Sequence, residues 1–373
     1  MTAARHDLWC GGWSTTTATP CATLGDMAGN SPCIDSNAHD SGSTRRRAAV
    51  ALGLSAVLAL AGCSKGSETD ADGTPDAQET AQGLTVAGQW PLTGEPAKGE
   101  APGHPVMVVK IDNTESSSPQ LGLSKADLIT EELVEGGSTR LAVFFYKHVP
   151  KRVGPVRSMR ATDIGIVKPA KAVLVASGGA PPTVRRIKGA GIKAYTEGSK
   201  GYSRDTSRRA PYNLFMDLAR LAKGVKAKDT VDSYLPFGSE QDLPRGQKAG
   251  GLAAQFSGGH TTSWRYQGGK YVNQNSFAQA GDQFRPDNVL VLRVKVGDAG
   301  YKDPAGNPVP ETKFTGTGKA MLFHGGRVVR GTWKKSLDST ISLSTRAGKL
   351  QVPAGHTWVE LVPANGGNVT VTR

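Results

Sequence analysis

The chain has 373 residues, of which 45 are Lys or Arg and 32 are Asp or Glu, so it carries a formal net charge of +13. This length exceeds that of a small domain and is sufficient for two domains. An excess of basic residues of this size would normally suggest that the protein binds nucleic acid. A signal for export from the cell argues against that partner.

The first recognisable element is an export signal with a lipid attachment site. Residues 45–47 are all Arg and precede an uncharged apolar run over 48–61, the order of a secretory signal. The run is shorter than the about 20 residues of a membrane-spanning helix. It ends in Leu-Ala-Gly-Cys, which resembles a bacterial lipobox, so we expect cleavage before Cys63 and lipidation of its thiol. The alternative is a plain secretory signal with an incidental cysteine.

These signals define the mature chain. Residues 1–62 are predicted to be an overextended N-terminus plus the signal peptide, both removed. The removed part contains Cys10, Cys21 and Cys33. Cys63 is then the one cysteine that stays, which excludes a disulfide framework, a Cys nucleophile and a cysteine metal site. Residues 63–83 are polar and predict a flexible tether behind the lipidated Cys63.

The expected location is the outer face of the bacterial cytoplasmic membrane, to which the lipid anchor attaches the protein. There the net charge favours polyanions such as anionic headgroups, teichoic acid and peptidoglycan carboxylates as partners, or an envelope protein. Nucleic acid is not expected. The alternative is a generally basic surface with no single partner.

Residues 84–235 alternate strand and helix signals, which predicts an α/β domain with a parallel or mixed sheet. Strands are predicted at 106–112, 139–148 and 171–179. Helices are predicted at 124–137, where Ser124 and Asp127 have the spacing of a capping box, at 159–167, and in two segments that start with Pro and end with Gly, 181–191 and 211–224.

Residues 236–262 are rich in Gly, Pro and polar side chains and are predicted to be a linker. Residues 263–373 are predicted to form a mainly antiparallel β domain, which makes the whole chain α+β. Two Gly pairs in this part, Gly268-Gly269 and Gly325-Gly326, stand between strand-like runs and predict two-residue hairpin turns.

Several common catalytic motifs are absent from the sequence. A phosphate loop would need Gly at position 313 and Ser or Thr at 320, where the chain has Lys313 and Ala320. The histidines beyond Cys63 lack the spacing of a helical zinc site, and no G-x-S-x-G elbow precedes a helix. No metal or cofactor is predicted.

Polar residues crowd at the ends of the strands predicted in the first domain, where ligands of open α/β sheets usually bind. The candidate anion-binding residues are Arg140, Arg157, Arg160, Ser177, Gly178, Gly179, Arg204, Arg208 and Arg209. The candidate acids, bases or polar partners are Asp112, Asn113, Glu132, Glu135, Asp205 and Asn213. Guanidinium groups suit bidentate binding of carboxylate or phosphate, and Ser177-Gly178-Gly179 could form a backbone anion nest.

Three interpretations of these residues stay open. They form an Arg–carboxylate network that fastens loops to the sheet, a binding site, or a catalytic site in which Asp112, Asp205 or one of Glu131, Glu132 and Glu135 acts as acid or base.

Several blocks in one order resemble the YerB-like bacterial lipoproteins. They are "PLTGEP", "VVKIDN", "SPQLGLSKADLITEELVEGGSTRLAVFF", "VGPVRSMR", "ASGG", "SRDTSRRAPYNLF", "GTGKAMLFHGGRVVRGTWKK" and "VPAGHTWVELVP". The resemblance covers about residues 84–373 and implies a two-part domain of unknown function in an extracytoplasmic lipoprotein, without assigned catalytic residues. Lys110 stands where the family usually has an apolar residue, which argues against a fully buried first strand.

Two functions from different classes follow. The first is a binding or scaffold lipoprotein that holds an anionic envelope polymer or a wall-synthesis partner near the membrane. The alternative is a cell-wall-modifying enzyme that uses arginines and carboxylates of the first domain.

Overall fold

The structure is a computed structural model that describes residues 88–98 and 100–373. The elements of the first half are β1 (Met107–Asn113), β2 (Leu128–Leu133), β3 (Thr139–Phe145), α1 (Asp163–Val167), β4 (Val173–Val175), α2 (Pro181–Gly189), β5 (Ala194–Tyr195), β6 (Tyr202–Arg204), β7 (Leu214–Met216) and α3 (Leu218–Ala222).

Only strands and a short 3-10 turn follow α3. They are β8 (Phe237–Gly238), β9 (Gln247–Lys248), β10 (Gly251–Gln255), β11 (Thr261–Gln267), β12 (Lys270–Asn273), β13 (Asn288–Lys302), β14 (Pro308–Lys313), β15 (Gly316–His324), β16 (Arg327–Lys335), β17 (Ser342–Thr345), β18 (Gly348–Leu350), β19 (Val352–Pro353), β20 (Thr357–Pro363) and β21 (Asn368–Thr372).

A mixed sheet of 13 strands runs through both halves of the chain. Its order is β18-β17-β16-β15-β13-β20-β2-β3-β1-β4-β5, with β14 beside β13 and β9 beside β16. The pairs β13–β20, β20–β2, β1–β4 and β4–β5 are parallel, and the other pairs are antiparallel. The predicted mixed sheet is therefore confirmed, within a protein that is mostly β.

Hydrophobic side chains cover both faces of this central sheet, because alternate residues of a strand point to opposite sides. On the first face, Phe144 and Leu322 pack with Ile166 of α1 and Ile187 of α2. On the second face, other core side chains pack with Trp264 of a smaller sheet of order β12-β11-β10-β21. The central strands are thus buried on both sides.

The predicted helix over 124–137 is wrong, since this segment holds β2 flanked by short 3-10 turns. The apolar residues there serve both faces of a strand: Leu128 packs on the first face and Ile129 on the second. Asp127 does not cap a helix. Its carboxylate accepts hydrogen bonds from the backbone N–H groups of Tyr146 at 2.6 Å and Lys147 at 3.0 Å, just beyond β3.

Most other local predictions agree with the structure. Strands occupy parts of the three predicted runs, as β1, β3 and β4, and helices α1 to α3 fall inside the other predicted helical segments. The predicted helix over 211–224 is wrong in its first part, because Leu214–Met216 pairs with β6 and forms the strand β7. Both Gly pairs form the turns of hairpins, β11–β12 and β15–β16, with positive φ angles of 60° and 80° at Gly268 and Gly269, and 56° and 69° at Gly325 and Gly326.

The segments 84–235 and 263–373 contribute strands to the same sheet, through the parallel pair β2–β20. The described residues accordingly belong to one compact unit, and the predicted linker 236–262 contains β8, β9 and β10. The domain boundaries stay a prediction. Cys63, the signal peptide and the tether over 63–83 lie outside the described residues. Among the residues that are described, no helix is long and apolar enough to cross a membrane.

Candidate functional site

The polar candidates gather at one end of the central sheet, which we call the polar end. It is formed where β1, β2 and β4 finish and β3 begins. The register places Asp112 opposite Arg140, and Arg140 opposite Glu132, across three neighbouring strands. These three side chains point to the first face of the sheet, whereas Asn113, Thr139 and Glu131 point to the second. The polar end therefore carries two separate groups of side chains.

On the first face, five residues form what we call the arginine cluster: Arg140, Arg157, Arg160, Asp112 and Glu135. Arg160 donates from Nε to Glu135 Oε2 at 2.9 Å, and its Nη2 also binds Glu135. Arg140 lies 3.4 Å from the same carboxylate and donates to the Ser158 carbonyl oxygen at 3.1 Å. Arg157 lies 3.4 Å from Asp112. The cluster thus brings together five of the predicted site residues.

The electrostatics of the cluster follow from crowding and burial. Arg140 is only 4% exposed, and burial together with the neighbouring Arg160 charge lowers its pKa to about 10. Burial would raise the pKa of Glu135, but hydrogen bonds from Arg160 and the charges of Arg140 and Arg160 lower it to about 2. Both groups are therefore ionised at neutral pH.

The cluster retains unused hydrogen-bond donors. Within the described part of the chain, Arg140 Nε and Arg157 Nη1 are buried and have no hydrogen-bond partner. The Arg157 guanidinium also lies over the Tyr212 ring, 5.0 Å from its centroid. Such N–H groups are expensive to leave unpaired in a folded protein. The cluster therefore has donors that its own carboxylates do not use.

The loop after β4 lies beside the cluster. Ser177 Oγ is 3.2 Å from Ser158 Oγ, and the Ser177 backbone N–H donates to the Arg157 carbonyl oxygen at 2.9 Å. Gly178 has a φ of 144° and accepts from the Met159 N–H. At Gly179, a Cβ atom would come within 2.7 Å of the Met159 side chain. The glycines thus allow close packing of this loop, while the Ser177 N–H is already used and does not contribute to an anion nest.

The remaining candidates lie on or next to the β6–β7 hairpin, and all of them except Arg209 have partners of their own. Arg204 donates to both Glu197 oxygens, at 2.7 and 2.8 Å, and to Asn213 at 2.6 Å. Asp205 binds Arg152, and Arg208 donates to the Pro119 carbonyl oxygen at 2.6 Å. Arg209 is exposed. Tyr212 is the residue of this segment that contacts the arginine cluster.

Glu132 belongs to a separate, buried ion group. It is fully buried beside Lys110, whose Nζ lies 2.5 Å from Glu132 and 2.7 Å from Asp163 at the start of α1. The expectation that Lys110 keeps the first strand from full burial is wrong, because these two carboxylates compensate its charge. Burial and the Asp163 charge raise the pKa of Glu132 above its usual value, although Lys110 opposes them.

The second face of the polar end holds a group that sequence reasoning largely missed, the Glu131 network. Glu131 Oε1 accepts hydrogen bonds from Asn113 at 3.0 Å, Thr139 at 2.7 Å, and Thr262 and His260 at 2.9 Å. His260 belongs to the predicted linker, so no local pattern linked it to Glu131. The one feature of the sequence that could have drawn attention to His260 is its position between Gly258-Gly259 and the strand that follows.

Glu360 completes this network from β20. It pairs in register with Glu131 and accepts a hydrogen bond from Trp264 Nε1 at 2.7 Å. Burial and the Glu131 charge raise the pKa of Glu360 well above its usual value. Burial would also raise the pKa of Glu131, but hydrogen bonding to His260 and Thr139 lowers it. In the range that the structure describes, no three His, Cys, Asp or Glu side chains form a metal site.

The fold and its polar end define a mostly β protein in which two parts of one chain build a single sheet. The chain belongs to the YerB-like family. The family model described as "Protein of unknown function (DUF3048) N-terminal domain" matches residues 92–231, and that of the corresponding C-terminal domain matches residues 252–359.

Known relatives agree with this assignment. The chain is 25% identical over 287 residues to "Putative lipoprotein YerB" of Bacillus subtilis (strain 168), which covers 73% of this chain and 86% of the relative. The crystal structure of YerB from Bacillus subtilis has a TM-score of 0.63 and 21% identity, over 76% of this chain and 99% of that chain. That crystallised chain consists almost wholly of the matching part, and in the present chain the described residues of 77–373 form one compact unit.

Proposed function

We propose that this chain is a membrane-anchored, extracytoplasmic lipoprotein that binds an anionic group through its arginine cluster. The group belongs to a cell-envelope polymer or to a wall-synthesis partner. Support for the anchor comes from the lipobox at Cys63 and from the similarity to a relative named as a lipoprotein. The tether over 63–83 would let the folded part reach the wall from the outer face of the cytoplasmic membrane.

The observation that carries the binding function is the pair of unused donors, Arg140 Nε and Arg157 Nη1. Three guanidinium groups in the cluster face only two carboxylates, so the cluster has an excess of positive charge. A carboxylate or phosphate would satisfy the donors and balance the charge, and charge-assisted hydrogen bonds of this kind are the strong ones. Arg157 is the accessible member, with 20% of its side chain exposed.

The states of the nearby acids favour binding over acid–base catalysis at this cluster. A general acid or base works best when its pKa lies near the operating pH. Glu135 has a pKa of about 2, and Asp112 is held by Arg157 and by the Thr114 N–H at 3.0 Å. Glu132 is enclosed with Lys110. All three carboxylates are thus engaged by cationic side chains of the protein itself.

The test uses residues 77–373 incubated with isolated cell-wall sacculi, with the protein that pellets quantified. We expect Arg157→Gln to weaken binding to the sacculi by about tenfold or more, because one charged hydrogen-bonding group is worth about 1.5–3 kcal/mol. Arg157→Lys keeps the positive charge but loses the planar guanidinium group that can bind an anion through two hydrogen bonds. This variant should therefore recover only part of the binding.

The matched control is Arg209→Gln, which removes the same charge from an exposed position on the β6–β7 hairpin. If Arg157→Gln and Arg209→Gln weaken pelleting equally, binding depends on the overall positive charge of the protein and not on the arginine cluster. Absence of pelleting in the unaltered protein would direct the search to a protein partner, and unchanged pelleting of Arg157→Gln would refute the proposed site.

A second candidate function, modification of the wall polymer, is favoured by the Glu131–His260 contact. A buried carboxylate that holds Nε2 of a histidine with a 10% exposed side chain resembles the orienting arrangement of general bases. Mass spectrometry of the sacculus supernatant tests this candidate. Released or altered fragments that disappear with His260→Gln would make the protein an enzyme, whereas an unchanged supernatant would leave binding alone.

A further inference from the structure

The end of the central sheet opposite the polar end has a different character, and we call it the basic end. The register places the end of β3 next to the starts of β1 and β4: Phe145 pairs with Met107, and Met107 pairs with Val173. Strands of this length separate the two ends by roughly 20 Å. A ligand at the basic end is therefore remote from the arginine cluster.

Two cavities open at the basic end. The first has a volume of about 610 Å³, and its lining includes Lys125, Lys147, Lys151 and Arg152 beside His148. The one acid in this lining, Asp282, is already bound by the Gly122 and Ser124 backbone N–H groups, at 2.5 and 3.0 Å. The cavity therefore presents mainly positive charge.

The second cavity has a volume of about 540 Å³ and adjoins the starts of β1 and β4. Its lining includes the apolar residues Val173, Ile192 and Val225. It also includes the lysines at positions 168, 171, 193, 226 and 228. The acid in the lining is Asp229. A lining that combines apolar side chains with ammonium groups suits a ligand with an anionic head on an apolar body.

Some of these cations already have acidic partners. Lys147 lies 3.5 Å from Glu95, Lys168 lies 2.9 Å from Asp338, Lys171 lies 3.6 Å from Asp232, and Arg152 binds Asp205. In the described ranges, Lys125, Lys151, Lys226 and Lys228 are exposed and have no ion-pair partner. These four lysines carry charge that is free to meet an external anion.

The described chain also starts at the basic end. Trp90 packs edge-on against Tyr146, with ring centroids 6.1 Å apart, and Lys147 Nζ lies 5.7 Å from the Trp90 ring centroid. Tyr146 and Lys147 directly follow β3. Since Cys63 precedes Gly88 by 25 residues, the chain that leads from the proposed anchor enters the fold at this end.

We propose that the basic end is a membrane-docking face that binds the anionic phospholipid headgroups of the bilayer to which the protein is anchored. Lysine side chains are attracted electrostatically to an anionic membrane surface, and salt screens this attraction. Docking through this face turns the arginine cluster, at the other end of the strands, away from the lipid. The proposal rests on the lysines of the basic end and stands or falls independently of the arginine cluster.

The experiment measures sedimentation of residues 77–373 with vesicles of phosphatidylcholine alone and of phosphatidylcholine mixed with phosphatidylglycerol. One variant carries Lys125→Gln, Lys151→Gln, Lys226→Gln and Lys228→Gln. The matched control carries Lys302→Gln, Lys319→Gln, Lys334→Gln and Lys349→Gln, which removes four exposed charges from β13, β15, β16 and β18. Circular dichroism and melting curves confirm that both variants fold.

We expect binding to the anionic vesicles only, decreasing with added salt. A lysine near such a surface is worth about fivefold in affinity, so the first variant should bind at least about tenfold more weakly and the control should change far less. Equal binding to neutral vesicles, equal losses in both variants, or no binding of the unaltered protein would each overturn the proposal. A third variant, Arg157→Gln, is measured beside them; loss of vesicle binding in this variant, with binding kept in the first variant, would also overturn the proposal and assign the lipid contact to the polar end.

Discussion

Glu131 and Glu360 face each other in register on the parallel strands β2 and β20, and neither side chain has exposed surface. Two carboxylates this close in a dry interior cannot both ionise without a large cost. The surroundings decide which one keeps the proton: Glu131 has four side-chain donors in contact with it, including His260, whereas Glu360 has Trp264. Glu131 is therefore the anion and Glu360 the neutral acid.

This asymmetry predicts unequal effects of the same substitution on the free energy of unfolding. Glu360→Gln should cost within about 1 kcal/mol, because an amide can still accept from Trp264 and donate to Glu131. Glu131→Gln should cost about 3 kcal/mol, because it removes the charge on which four donors converge. Urea unfolding of residues 77–373 at neutral pH measures both values, and equal costs would contradict the assignment of the proton.

The buried ion group of Lys110, Glu132 and Asp163 predicts a rescue. Lys110→Met should lower stability by about 3–5 kcal/mol, because it leaves two carboxylates without their cation. Adding Glu132→Leu removes one of the stranded carboxylates, so the double variant should be more stable than Lys110→Met alone. A double variant as unstable as the sum of the two single variants would show that the charges do not interact.

Glu135 predicts a specific dependence of stability on acid. Its pKa in the folded protein, about 2, lies below the ordinary value of 4.5, so its contribution is present above pH 4.5 and is lost as the pH falls toward about 2. The full contribution is about 2–3 kcal/mol.

The measurement compares the unaltered protein with Glu135→Gln by urea unfolding at neutral pH and within that acidic window. We expect the variant to be less stable at neutral pH and to approach the unaltered protein as the pH falls. A constant difference between the two proteins at every pH would rule out the ion pairs of Glu135 as the source.

The lipid anchor predicts a loss of membrane attachment. When the full chain is produced in a bacterium that makes lipoproteins, Cys63→Ala should prevent incorporation of labelled fatty acid and release the protein from the membrane fraction. Cys33→Ala is the matched control, since it removes a cysteine outside the lipobox. A lipid-labelled Cys63→Ala protein would exclude Cys63 as the attachment site.

Local sequence patterns predicted those parts of the fold that local contacts decide. The β-branched run of β1 and the Gly pairs of the two hairpins are examples, because strand propensity and positive φ angles are local properties. The convergence of Asp112, Arg140 and Arg157 was also foreseeable, since ligands and polar groups collect where strands end.

The features that sequence patterns missed depend on distant partners. The apolar spacing in β2 fits a helix. The segment is a strand because it pairs with β3 on one side and with β20 on the other, and because its apolar side chains are buried on both faces of the sheet. His260 and Glu360 meet Glu131 from 129 and 229 positions away. A charged Lys110 inside the sheet was equally hidden, because Asp163 lies on another element.

The position of β20 has a consequence for the order in which the central sheet can assemble. In the described residues, β20 is the strand that joins the two halves of the central sheet, since it pairs with β2 on one side and β13 on the other. It begins at Thr357 and therefore follows every other strand of that sheet along the chain. Until β20 is in place, β2 and β13 each present an unpaired backbone edge on that side, and such edges are open to pairing with another chain.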